Sequence, residues 1–140
     1  MKQLIGLFAI TAMSACVGTA PVSPNASPGA QPASPRMAAQ IFNDACVQTL
    51  PNLAGAPQAI AAYPMTQHAT FGTYYHNQQN LSVKLIGADC SIVFEPNITP
   101  AAALVGFGIA VGADTNPVTI RLSPGPAGSS YINARTTASQ

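Results

Sequence analysis

The sequence predicts an α+β domain in two layers, with N-terminal helices and one central helix packed on a mainly antiparallel sheet of about five short strands. Three observations lead to this prediction. Apolar residues first repeat at helical spacing, and later segments alternate as strands do. Short turn sequences connect the strand-like segments, which favours antiparallel neighbours. A single apolar segment, residues 101–111, interrupts the strands and has the length of a helix.

Two helices are expected at the start of the domain. Ser34 followed by Pro35 is typical of a helix N-terminus, because serine caps the helix and proline is tolerated in the first turn. The residues that then repeat at helical spacing, before Pro51 ends the helix, are Ile41, Phe42, Ala45, Cys46, Thr49 and Leu50. A second short helix is predicted over residues 57–62, and Pro64 stops it.

Three strand-like segments with tight connections follow these helices. Residues 70–76 are rich in Thr and Tyr, residues 81–85 alternate cleanly, and residues 90–94 place their apolar side chains on one face. The sequence Asn-Gln-Gln-Asn at 77–80 is typical of a hairpin loop, and Gly-Ala-Asp at 87–89 turns the chain again. The pattern therefore predicts a three-stranded meander.

One helix and a hairpin complete the predicted domain. Thr99 and Pro100 repeat the cap-then-proline start, and residues 101–111 are apolar on every side, which predicts a buried helix. Residues 118–122 alternate as a strand and residues 131–135 form a last strand. The Pro- and Gly-rich loop between these strands covers residues 123–130.

The composition excludes one class of partner. Charged residues are 6% of the chain, against roughly 25% in an average soluble domain. Without residues 1–15 the chain has four basic and four acidic residues, so its formal charge is zero. Nucleic-acid binding is not expected, because no basic stripe is present to neutralise phosphates.

Residues 1–15 have the order of an export signal. Lys2 is followed by a short apolar run over residues 4–12 and then by small residues. The run is too short to span a bilayer, which takes about 20 apolar residues. The sequence Met13-Ser14-Ala15-Cys16 resembles the bacterial lipobox, and this resemblance implies cleavage before Cys16 and lipidation of its thiol.

The resemblance to bacterial lipoproteins implies an anchor in the cell envelope. Several acyl chains on Cys16 would hold the chain durably, and Val17 in place of Asp favours the outer membrane, with the domain facing the periplasm. Cleavage after Ala15 without lipidation is the alternative, and it would give a secreted or soluble periplasmic protein. The predicted organisation is a signal peptide at 1–15, a lipidated Cys and Pro-rich linker at 16–35, a single domain at 36–136 and a tail at 137–140.

The remaining cysteines are expected to form a disulfide. If Cys16 carries the lipid, Cys46 and Cys90 form the only pair left in an exported chain. Helix spacing places Cys46 on a buried helix face, and strand alternation places Cys90 on the inner sheet face, so the bond would join helix to sheet. The sequence has neither the clustered Cys and His of a metal site nor the Cys-x-x-Cys of a redox site.

Three functions are compatible with this pattern. The first is a non-catalytic interaction or structural domain that binds an envelope protein or the cell wall, with Tyr74, Tyr75 and His76 as a possible contact patch, although these residues also suit an ordinary strand. The second is a small-ligand site between the helix at 101–111 and the sheet. The third is an envelope hydrolase with His68 or His76 as its base. No catalytic residue, metal ligand or cofactor is assigned.

Overall fold

The structure, a computed structural model, describes residues 29–69, 72–113, 117–125 and 129–136. The expected signal peptide, the lipidation of Cys16, most of the linker and the tail at 137–140 lie outside the described residues. The described part has the predicted α+β fold, with helices on one face of an antiparallel sheet.

Six strands form one sheet in the order β1-β2-β3-β4-β6-β5, and all neighbours are antiparallel. Their bounds are β1 Met65–His68, β2 Thr73–His76, β3 Leu81–Ile86, β4 Asp89–Phe94, β5 Val118–Pro124 and β6 Ser130–Thr136. The meander at β2-β3-β4 and the β5-β6 pair follow the prediction. Strand β6 pairs with β4, which brings the last hairpin beside the meander.

Strand β1 was not predicted, because its sequence Met-Thr-Gln-His has no apolar alternation and three of its four residues are exposed. It forms a hairpin with β2, so the predicted strand at 70–76 begins at Thr73 instead. Gly72 precedes β2 with a φ of 59°, and a Cβ added there would lie 2.5 Å from the carbonyl oxygen of Leu85. Only glycine fits this turn, because any side chain would meet backbone.

The first helix begins where the sequence predicts. Helix α1 spans Pro35–Phe42, and the Ser34 hydroxyl accepts a hydrogen bond from the N–H of Met37 at 3.2 Å. The helix then widens into a π-helical turn at Asn43–Val47. The predicted apolar stripe is buried across both segments, with Ile41, Phe42, Ala45 and Cys46 fully inaccessible.

Two further helices complete the second layer. Helix α2 spans Ala56–Ile60, and α3 spans Pro100–Val111, where Gly112 ends it in the left-handed conformation with a φ of 67°. The expectation that α3 is buried on all sides is wrong. Its buried residues are Ala103, Phe107 and Val111, whereas Val105 and Ile109 are 61% and 78% exposed.

The two-layer architecture explains this exposure. Helix α3 packs on α1 and on strands β5 and β6, so the sheet and one neighbouring helix cover only part of its circumference. A helix without polar side chains has no periodicity that would reveal which side faces outward. The sequence pattern therefore predicted the helix correctly but not its environment.

The core lies between the helix layer and the inner face of the sheet. It includes the N-terminal segment before α1, where Ala33 is fully buried and bridges Pro96, and where Gln31 bridges Gln79. The chain thus joins the domain before residue 36. The largest fully buried side chains are Phe42, Phe94, Phe107, Ile41, Ile60, Leu81, Ile92, Ile132 and Val83.

Candidate functional site on the open face of the sheet

The disulfide Cys46–Cys90 joins the π-helical turn to strand β4, with 5.4 Å between the two Cα atoms. Both cysteines are fully buried, so the bond lies inside the core and links the two layers. It also identifies the faces of the sheet. Because side chains alternate along a strand, Cys90 faces the helices and Ser91 faces the opposite way.

The three residues of the proposed contact patch do not share a face. Tyr74 pairs with Val83, which belongs to the core, whereas Tyr75 pairs with Ser82 on the opposite face. His76 again points towards the helix side and is 4% exposed. The structure therefore does not bring Tyr74, Tyr75 and His76 together, because consecutive strand residues point to opposite sides.

His76 holds the loop between β2 and β3. Its Nδ1 accepts hydrogen bonds from the backbone N–H groups of Gln78 and Gln79, at 3.2 and 3.1 Å. Burial lowers the pKa of His76 below its usual value of 6.5. The neutral ring is also the form that this geometry needs, since a protonated Nδ1 would face two donors. His76 thus has a structural role, and His68 lies on the other face of the sheet.

The space between α3 and the sheet is filled by aromatic rings. The ring centroid of Phe107 lies 5.8 Å from that of Phe42 and 5.3 Å from that of Phe94. All three side chains are fully buried. A ligand at the position suggested by the sequence would have to displace one of these rings.

Tyr63 fixes the end of the α2 segment against the π-helical turn. Its hydroxyl donates a hydrogen bond to Asp44 Oδ2. Burial, followed by the contact with the Asp44 carboxylate, raises the pKa of Tyr63 to about 12. The phenol therefore remains a hydrogen-bond donor at neutral pH, which suits a structural contact.

The outer face of the sheet carries every charged side chain of the six strands. We call this surface the open face, since the helices cover only the other side. Strand pairing places Lys84 beside Ser91, Ser91 beside Arg135, and Asn133 beside Arg121. The charged residues of the strands all have the same alternation as Ser91, so three cations and one carboxylate lie on this face. They are Lys84, Arg121, Arg135 and Asp89.

One row of directly paired residues crosses the whole open face. Neighbouring strands lie about 4.8 Å apart, so the Cα atoms of Lys84 and Arg135, two strands apart, are separated by about 10 Å. The row consists of His68, Thr73, Lys84, Ser91, Arg135 and Thr119. This row could not be recognised from the sequence, because it depends on the register of five strand pairs.

A groove of about 260 Å³ lies at the centre of the open face, and three residues of this row line it. Arg135 donates a hydrogen bond to Asp89 at 2.5 Å, and the two side chains are 58% and 43% exposed. Within the described residues Lys84 makes no salt bridge and is exposed. The residues that line the groove are Lys84, Ile86, Asp89, Ser91, Asn133 and Arg135.

The groove offers polar and charged side chains. Its polar groups are a hydroxyl, an amide, two cations and one paired carboxylate, its apolar side chain is Ile86, and neither histidine lines it. In the described ranges, no three His, Cys, Asp or Glu side chains cluster as metal ligands. None of the helices in the described part of the chain has the length and hydropathy that a membrane-spanning helix needs.

Comparison with protein-family models, with curated proteins and with solved structures finds no match to this chain.

Proposed function

We propose that the chain is a lipid-anchored lipoprotein of the bacterial cell envelope, and that its domain is a non-catalytic interaction module. In this proposal Cys16 carries the lipid, the Pro-rich linker that follows it forms the tether, and the open face is presented to a partner in the envelope. The outer membrane, with the domain in the periplasm, is the proposed location. Secretion as a soluble protein is the alternative.

The distribution of charge is the observation that carries the interaction role. The chain has few charged residues, yet every charged side chain of the strands lies on the open face. A sheet face covered by helices would instead be mainly apolar, as the inner face is here. Charged and polar groups concentrated on a sheet face that the described helices leave uncovered, with a groove between them, favour the binding of a polar partner.

The disulfide supports the extracytoplasmic location. Structural disulfides form and persist in oxidising compartments such as the bacterial periplasm. Cys46 and Cys90 are paired in the core, which agrees with an export signal at the N-terminus. The cysteine left over, Cys16, is the one that the lipobox resemblance assigns to the lipid.

The other two functions have less support. The gap beside α3 holds three phenylalanine rings, so it offers no reason to propose a small-molecule site there. A hydrolase would need a histidine close to a nucleophile, but Nδ1 of His76 accepts two backbone hydrogen bonds. The interaction module is therefore the function that the described residues favour.

Site-specific photo-crosslinking in living cells tests this proposal. A photoreactive amino acid would replace Ile86 or Thr119 on the open face, and Gln58 or Val105 on the helix layer as matched controls. We expect a crosslinked product from the two open-face positions and none from the controls. Products from Val105 or Gln58 alone would move the interaction surface to the helices, and no product at any position would contradict the interaction role.

A further inference from the structure

We propose that the groove at Lys84, Ser91 and Arg135 binds a carboxylate of an acidic polysaccharide. This inference rests on the proposed function, because it names the chemical class of the partner at the same open face. It adds a ligand, a binding geometry and a role for each charged residue of the groove.

Charge complementarity identifies the ligand as an anion. The open face has three cations and one carboxylate, so its formal charge within the strands is positive although the mature chain as a whole is neutral. Lys84 and Arg135 stand on either side of Ser91. Their Cα atoms are about 10 Å apart, so both long side chains can reach one carboxylate between them.

The pair between Arg135 and Asp89 does not compete strongly with such a ligand. Both side chains are about half exposed, and exposed ion pairs contribute only about 0–1 kcal/mol. The planar guanidinium has five N–H donors, which allows bidentate contact with a carboxylate. Asp89 therefore acts as a weak internal substitute for the ligand.

The remaining lining residues favour a sugar as the bearer of the carboxylate. Ser91 and Asn133 supply a hydroxyl and an amide at the groove, and such groups pair with the hydroxyls of a sugar. Arg121 stands directly beside Asn133 on the neighbouring strand. A second carboxylate further along the same polymer would meet Arg121, so the face suits a linear chain with repeated carboxylates.

An acidic peptide fits this surface less well. Extended peptides are held mainly by backbone hydrogen bonds at the edge of a sheet, and the backbone groups of strands lie in the plane of the sheet rather than on its face. The groove lies on β3, β4 and β6, none of which is an edge strand. Only side chains are offered there, which favours a ligand that is recognised through its substituents.

Titration with hexagalacturonate, a linear acidic oligosaccharide, tests the proposal on the mature, disulfide-bonded protein. We expect saturable binding that weakens as salt rises, because exposed charge pairs are screened. The fully methyl-esterified hexasaccharide has the same backbone without charge and should not bind. Hexaglutamate has the same number of side-chain carboxylates on a peptide and should bind at least about tenfold more weakly, since it cannot use the hydroxyl and amide contacts.

Variants of the groove give the second readout. Lys84→Gln and Arg135→Gln should each weaken binding of hexagalacturonate by about tenfold or more, as expected for hydrogen bonds to a charged group. Asp89→Asn should strengthen binding, because it removes the internal competitor for Arg135. Arg36→Gln is the matched control, since Arg36 is an exposed cation on α1. Equal thermal melting curves would confirm that the exposed substitutions leave the fold intact.

The outcomes separate the ligand class from the interaction role. Equal binding of hexaglutamate and hexagalacturonate, or equal effects of Arg36→Gln and Arg135→Gln, would overturn the proposed ligand, because the protein would then respond to charge alone. Absence of hexagalacturonate binding would also overturn it. If open-face crosslinks persist in cells in any of these cases, the interaction module stands with a different ligand. If the crosslinks are missing too, both proposals fail.

Discussion

Removal of the disulfide Cys46–Cys90 should destabilise the domain by about 4 kcal/mol. The bond closes a loop with a sequence separation of 44 residues. For such a loop the chain-entropy relation gives about 13 cal/mol/K, which is about 4 kcal/mol at room temperature. A domain of this size has a total stability of about 5–15 kcal/mol, so the bond supplies a large share of it.

The perturbation is the double substitution Cys46→Ala, Cys90→Ala in a chain that also has Cys16→Ser. Cys16→Ser removes the third thiol from the unlipidated protein. In cross-linking, the parent and the double variant then differ only in whether the Cys46–Cys90 bond can form. Both cysteines are fully buried, and loss of the two sulfur atoms adds a smaller packing cost of the same sign. The Cys16→Ser parent, reduced and refolded from denaturant, separates these terms, since it lacks the bond but keeps both sulfur atoms.

Urea denaturation followed by circular dichroism measures the free energy of unfolding. We expect the midpoint to fall strongly, and the thermal midpoint to drop by roughly 20 °C for a domain of about 100 residues. The reduced Cys16→Ser parent should show most of this loss. A difference below about 1 kcal/mol between the oxidised and reduced forms would contradict this prediction, because the bond would then constrain the unfolded chain far less than a loop of this length requires.

Three further predictions concern the core, a buried histidine and a tight turn. Phe107→Ala should lower the free energy of unfolding by about 3–5 kcal/mol because its ring contacts two others in the core. Ile109→Ala, at a position 78% exposed, should change it by less than about 0.5 kcal/mol. Equal losses in urea denaturation would mean that the orientation of α3 is wrong. The lowered pKa of His76 means that its neutral form stabilises the fold, so stability should be full above the unfolded pKa of about 6.5 and decrease as pH falls below it. His76→Asn, which retains an acceptor, should reduce that decrease in thermal melts. An unchanged pH profile would contradict the structural role of the neutral ring. Gly72→Ala should be more destabilising than Gly87→Ala by about 2 kcal/mol or more. Both glycines have a φ near 60°, but only a Cβ at Gly72 would meet backbone atoms. Equal melting temperatures of the two variants would count against the close approach of Gly72 to the Leu85 carbonyl.

The elements with strong local signals were predicted well. Ser34 and Pro35 identify the start of α1 because capping and fixed φ are properties of single residues. The β3-β4 hairpin follows from alternation on both sides of a short turn. The disulfide follows from combining helical spacing around Cys46 with strand alternation around Cys90.

The candidate site was not predictable in the same way. Lys84, Ser91 and Arg135 are spread over about fifty positions of the chain, and only the register of three strands places them side by side. Residues 74–76, suggested as a contact patch, do not share a face because neighbours in sequence occupy opposite faces of a strand. Functional surfaces built from cross-strand rows therefore need the sheet order, which the sequence pattern alone does not supply.

The intact mass of the protein extracted from its native membrane tests the lipid anchor and the internal disulfide together. We predict the mass of the chain from Cys16 onward, plus several acyl groups and less two protons for the Cys46–Cys90 bond. A mass that includes residues 1–15, or one without acyl groups, would contradict the anchor. A mass with two free thiols would contradict the disulfide.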